Sequence, residues 1–136
     1  MISVEDIQTS IINKLQANAA LVSGTYGDIR EMNYQGADFR YPNVRVGEIN
    51  QTPVGQGNCR ETSGVFSFKV VAFSEHPSSL ECSRIASLVV AALFGKKLSS
   101  PSFKTGKIST TGVDSPTRAP TGAWRSDVFF IAHYWS

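Results

Sequence analysis

The sequence is poor in the residues that most often carry chemistry. In 136 residues it has two cysteines, Cys59 and Cys82, and two histidines, His76 and His133. The cysteines lie far apart and outside any C-x-x-C spacing, and without a secretory signal they read as reduced thiols. Taken together as zinc ligands, the four residues lack the close pairs that zinc fingers use, so coincidence is the better reading. A catalytic triad would have to recruit one of the two histidines. His133 falls in an aromatic strand and His76 precedes a proline at a strand–helix corner, and both positions have local structural explanations. Gly55-Gln56-Gly57 is a lone G-x-G without the third glycine and following helix that phosphate binding needs. The expectation is a chain with no enzymatic activity, no metal and no cofactor.

Long hydrophobic runs are missing too. No apolar stretch approaches the ~20 residues that cross a bilayer. The first apolar segment is interrupted by Glu5, Asp6, Asn13 and Lys14, so it reads neither as a signal peptide nor as an anchor. The expectation is a chain made in the cytoplasm with no membrane partner. Charge of one sign is scarce as well, with a formal net charge of +2. Residues 1–58 carry four Lys/Arg against six Asp/Glu, and residues 59–136 carry nine against five. Eight of these nine basic residues (Arg60, Arg84, Lys96, Lys97, Lys104, Lys107, Arg118 and Arg125) form no dense run and are not interleaved with aromatics. They read as a solvated or subunit-facing surface, with a small DNA-binding module as the alternative from another class.

What is present is a globular pattern: 41% hydrophobic and 18% charged residues, enough chain for one core. Ser3, with Asp6 three residues on, predicts a capped helix whose stripe is Val4, Ile7, Ile11 and Leu15. Ile2 and Ile7 are placed as a hydrophobic staple. The pattern fades at Asn18, and Gly24 closes the region. Residues 29–34 read weakly as a strand. Residues 41–49 read better, with Val44, Val46 and Glu48 on one face and Arg45, Gly47 and Ile49 on the other. Residues 50–64 are polar and hold Pro53, Gly55, Gly57 and Gly64, which predicts a long hairpin loop. Residues 65–73 are the clearest strand, with Phe66, Phe68, Val70 and Ala72 facing the core.

Pro77 ends that strand, and Ser78-Ser79-Leu80-Glu81 matches a capping box. Ile85, Leu88, Val89, Ala92 and Leu93 form the stripe of the helix that follows, and Cys82, Ala86 and Val90 widen it. Gly95 suits a left-handed C-terminal residue, and Lys96 and Lys97 suit the negative end of the helix dipole. Residues 106–113 read as a modest strand and 114–122, with Pro116, Pro120 and Gly122, as a loop. Residues 123–135 close the chain as a strand that is apolar on both faces, as expected of one buried on both sides or held at an assembly interface. The fold class is therefore α+β: one domain over residues 1–136, in the order α-β-β-β-α-β-β, with two helices on one face of a mostly antiparallel sheet.

The order of elements, with several local patterns, resembles the tail-terminator or tail-completion (head–tail joining) proteins of long-tailed bacteriophages. The resembling residues are the opening helix with Asn18-Ala19-Ala20-Leu21-Val22, the strand Tyr41-Pro42-Asn43-Val44-Arg45-Val46, and Phe66-Ser67-Phe68-Lys69-Val70-Val71-Ala72-Phe73 leading into the second helix. The closing strand of residues 125–135 fits as well. The resemblance implies a structural virion protein of the tail or neck, assembled in the host cytoplasm. It forms a homo-oligomeric ring, commonly of six copies, that caps the tail tube and meets the head connector or stopper. DNA would pass through such a ring without sequence-specific contact. Another neck or tail component of similar fold is the alternative. The expected contact residues lie in the two polar segments: Gln51, Val54, Gln56, Asn58 and Arg60 in the first, Thr117, Arg118, Thr121, Trp124 and Arg125 in and after the second. Deleting residues 54–58 is expected to spare folding and impair joining.

Overall fold

The computed structural model describes residues 2–32, 40–54, 63–118, 120 and 122–136. The α+β class holds, with three helices and eight strands among the described residues. The opening helix, α1 (Val4–Gln16), buries Ile7, Ile11 and Leu15 at intervals of four residues, one stripe of a 3.6-residue period. Val4 is half exposed and stands outside the expected stripe. Ser3 is extended as an N-cap should be, but its side chain caps nothing. Asp6 instead accepts from Ser102 Oγ at 2.8 Å, so the acid that was to complete the cap holds a distant turn.

The segment after Asn18 is a further helix, α2 (Ala19–Thr25), where the sequence pattern ended. Asn18 is its cap: the side-chain oxygen accepts from Leu21 N at 3.0 Å. Gly24 lies inside this helix, and the left-handed turn that ends it falls on Tyr26 and Gly27. Seven residues show too few apolar repeats to declare a helical period, and its existence rests on docking against α3 (Leu80–Leu93).

The sheet is built on three strands of 12 residues each: β2 (Asn43–Val54), β3 (Ser63–Ser74) and β8 (Trp124–Trp135). Their order is β2-β3-β8, antiparallel throughout. β1 (Ile29–Glu31) adds to the outer side of β2 in parallel. The other edge of β8 is shared by β5 (Phe103–Thr105), β6 (Ser109–Val113) and β7 (Thr117–Arg118), and β4 (Ser99–Ser100) pairs with β5. Beyond the expected order the chain thus adds one helix and the short strands β4, β5 and β7. Residues 50–54 and 63–64, expected in a loop, are rungs of the β2–β3 ladder, with Val54 opposite Ser63. Only residues 55–62 of that expected loop fall outside the described residues. A deletion starting at Val54 therefore removes a paired residue.

One bulge sets which face each β2 residue serves. The register slips between Gly47 and Asn50, and Glu48 sits at φ 51°. Val44 and Val46 face the core before it. After it Ile49 packs against the core and Glu48 points to the opposite face, the reverse of strict alternation. Gln51 then faces the helices, where its amide donates to Ile2 O at 2.8 Å and accepts from Ile2 N at 3.2 Å.

The helix-covered face of the sheet is aromatic. Phe66, Phe68, Phe103, Phe130 and Tyr134 are all at most 2% exposed. Phe68 stacks on Phe66 and Phe130 with centroids 5.9 and 5.2 Å apart. α3 lies over them through Cys82, Ile85, Ala86, Val89, Ala92 and Leu93. The expected capping box of α3 is rearranged. Ser78 Oγ accepts from Leu80 N at 3.2 Å, whereas Glu81 Oε1 accepts from Ser74 Oγ at 2.8 Å, binding the helix start to the end of β3. Gly95 is left-handed at φ 74°, as expected.

Candidate interaction surfaces

The second face of the sheet is carried by Arg45 on β2, Lys69, Val71 and Phe73 on β3, and Arg125, Asp127 and Phe129 on β8, neighbours in register. It is organised by charge. Lys69 Nζ sits 3.1 Å from Glu48 Oε1 and 3.3 Å from Asp127 Oδ2, with its side chain 9% exposed. Asp127 also receives both arms of Arg125, at 2.8 and 3.1 Å, and the Arg125 guanidinium lies 5.7 Å from the Phe73 ring centroid. Burial works to raise the Asp127 carboxyl. The hydrogen bond and charge of Arg125, together with Lys69, outweigh it and hold the group below its ordinary value. The bond to Asp127 likewise raises Arg125. A second cluster lies at the β1 side, where Asp28 accepts from Arg30 Nε at 3.1 Å and from buried Arg45 Nη1 at 3.0 Å.

The described members of the two expected contact groups lie toward opposite ends of this sheet. Val54 and Ser63 adjoin Trp135, whereas Ser74 adjoins Trp124. The 12 residues of β3 separate these ends by roughly 35 Å at ~3.3 Å per residue. At the first end Gln51 is engaged with Ile2 through its amide. Gln56, Asn58 and Arg60 lie outside the described residues. At the second end Thr117 and Arg118 are exposed on β7, paired with Arg125 and Trp124. Arg118 donates to Gly122 O at 3.3 Å, and its guanidinium lies 6.0 Å from the Trp124 ring centroid. Trp124 Nε1 is buried without a hydrogen-bond partner among the described residues. Thr121 lies outside the described residues.

Cys82, His76 and His133 each have a separate local setting. Cys82 is fully buried and donates to Ala72 O at 3.4 Å; burial, with Glu81 and Asp127 nearby, pushes its thiol up to about 11. His76 Nδ1 accepts from Ser78 N at 3.0 Å, a local turn contact. His133 is exposed on the charged face of β8. Cys59 lies outside the described residues. Among the described residues no group of three or more His, Cys, Asp or Glu is placed to hold a metal ion, and no helix is long and apolar enough to cross a membrane. The charge clusters of the second face were not anticipated from sequence. The signal was present in the alternation of β3, where Lys69 takes an outward position between Ser67 and Val71, but its partners come from strands distant in the chain.

No protein-family model matches the chain, and no curated protein matches it. Solved structures do. A chain of the virion of a native gene transfer agent particle superposes with a TM-score of 0.82, at 16% identity, over 96% of this chain and 95% of that one. A second solved chain aligns with a TM-score of 0.59, at 15% identity, over 98% of this chain and 96% of its own length. The likeness is one of fold and spans whole domains.

Proposed function

We propose that this chain is a non-enzymatic structural subunit of a phage-like virion, one copy of a ring at the head–tail neck that caps the tail tube and joins it to the head connector. The observation that carries the reading is the full-length likeness, at a TM-score of 0.82, to a chain of a gene transfer agent virion. The separation of the described contact candidates, Gln51 and Val54 toward one end of the long strands and Thr117, Arg118, Trp124 and Arg125 at the other, supports the neck position in particular. A subunit between two larger bodies needs a contact surface at each pole. Here the Val54–Ser63 end of the β2–β3 ladder is one pole and β7 with the start of β8 the other, with a continuous sheet between them. Ring closure also needs a heterologous contact, two different patches on each subunit that complement one another. The expected ring is a hexamer with the tail tube protein on one side and the connector or stopper on the other.

The test is electron microscopy of lysates from a particle-producing strain carrying a nonsense mutation in this gene. Filled heads beside detached, overlong tails are the expected outcome, because a terminator couples tail length to joining. Detached tails of normal length would move the protein to another neck or tail station. Normal, infectious particles would overturn the structural reading.

A further inference from the structure

The lysines that look scattered in the sequence are gathered by the fold. Lys96 and Lys97 follow α3, Lys104 is on β5, Lys107 follows β5 and Lys14 is in the last turn of α1. Backbone hydrogen bonds bring the first four together: Gly95 N to Ile108 O and Ile108 N to Lys96 O, both 2.9 Å, and Thr105 N to Leu98 O at 3.0 Å. Lys14 and Lys97 line one shallow depression with Ser10, Asn13 and Ser99. Lys96, Lys97, Lys104 and Lys107 are exposed. None of the five forms an ion pair with another described residue. Asp6, the carboxylate that reaches the β4–β5 turn, accepts from Ser102 and forms no ion pair with these lysines.

The C-terminal ends of α1 and α3 favour Lys14, Lys96 and Lys97 through their dipoles. They do not account for Lys104 and Lys107, which sit on a strand and the loop behind it. Among the nearby hydroxyls, those of Ser100 and Ser102 donate in series toward the Asp6 carboxylate, which leaves Ser10 and Ser99 beside the lysines. Protein–protein contacts are depleted in lysine and serine and favour Tyr, Trp and Arg. Lysine and serine together are the chemistry that meets phosphate oxygens along a nucleic-acid backbone. No helix of described residues presents this corner's charges from one face, as major-groove reading would need.

We propose that this lysine corner binds the phosphate backbone of duplex DNA without reading its sequence. The contact goes beyond the neck-ring reading and does not depend on ring formation.

The test is fluorescence anisotropy of the purified full chain with two labelled 20-base-pair duplexes of unrelated sequence, between about 20 and 200 mM salt. The expected result is equal affinity for both duplexes, with log K falling linearly against log salt at a slope of about −4. The variant K96Q/K97Q/K104Q/K107Q should lose most of that slope, about 0.9 for each lysine removed. Its melting temperature should stay that of the parent, since all four side chains are exposed. Arg84→Gln, an exposed charge on α3, should leave the slope unchanged. No salt-dependent binding by the parent chain, or an unaltered slope in the quadruple variant, would overturn the proposal. So would labelled polyglutamate binding more tightly than the duplexes and losing that binding in the quadruple variant, which would give the corner to an acidic protein partner.

Discussion

The two faces of the sheet are held by different forces although the same three strands supply both. On the helix side, Phe66, Phe68, Phe130 and Tyr134 exclude water almost completely, and the binding is non-directional burial. On the other side, Lys69, Asp127, Arg125 and Glu48 are held by directional pairs at 2.8 to 3.3 Å. Truncating a side chain on the first face leaves a cavity. Removing a partner on the second exposes or unpairs a charge, and pH and salt then enter the balance.

The sharpest test of that contrast is Phe68→Ala. Its ring is stacked on two others, so a loss of about 3–5 kcal/mol is expected in urea unfolding, with little dependence on pH or salt. Lys69→Ala should cost less, about 1–3 kcal/mol, because Asp127 keeps Arg125 after the lysine is gone. A loss as large as that of Phe68→Ala would show that the charged face carries as much of the stability as the core. Asn18→Ala, which removes the α2 cap, should cost about 1 kcal/mol, whereas Ser3→Ala should stay within ~0.5 kcal/mol because Ser3 caps nothing. Equal losses at the two positions would contradict that difference.

The smallest effect is a pH signature. Asp127 is held below its ordinary value in the folded chain, so its contribution is fully present above the ordinary carboxylate range. It is lost as pH falls through the lowered value. Asp127→Asn should flatten that part of the acid limb of stability against pH. An unchanged limb would mean that the Arg125 and Lys69 pairs contribute nothing net.

The face held by burial is the one that the sequence discloses. Period-two alternation at Phe66, Phe68, Val70 and Ala72, and helical spacing at Ile7, Ile11 and Leu15, each need only one element to be read. The charged face needs three. Lys69 meets Glu48 through a bulge whose left-handed residue is a glutamate, one place beyond Gly47, and meets Asp127 from the far end of the chain. The capping signals were half informative for a related reason. Ser3-Asp6 and Ser78-Glu81 have the right letters, but Asp6 and Glu81 are drawn to Ser102 and Ser74, tertiary partners that compete with the local cap. The candidate contact residues were legible as polar, Gly- and Pro-containing stretches. That the described ones, Gln51 and Val54 against Thr117, Arg118, Trp124 and Arg125, lie toward opposite ends follows from the β2–β3–β8 register, and sequence alone does not give a register.

The pair of hydrogen bonds between Gln51 and Ile2 makes a clamp of what would otherwise be a free beam. A carboxamide that both donates to and accepts from a main chain imitates one more peptide unit, so the start of the chain is stitched to β2 at that point. Beyond it, Thr52 and Pro53 are exposed and β2 runs on to Val54 with β3 as its neighbour in the ladder. A load applied at the Val54–Ser63 end of the ladder would be delivered at this fulcrum into the first turn of α1, and through Ile7 into a close-packed interior that yields little.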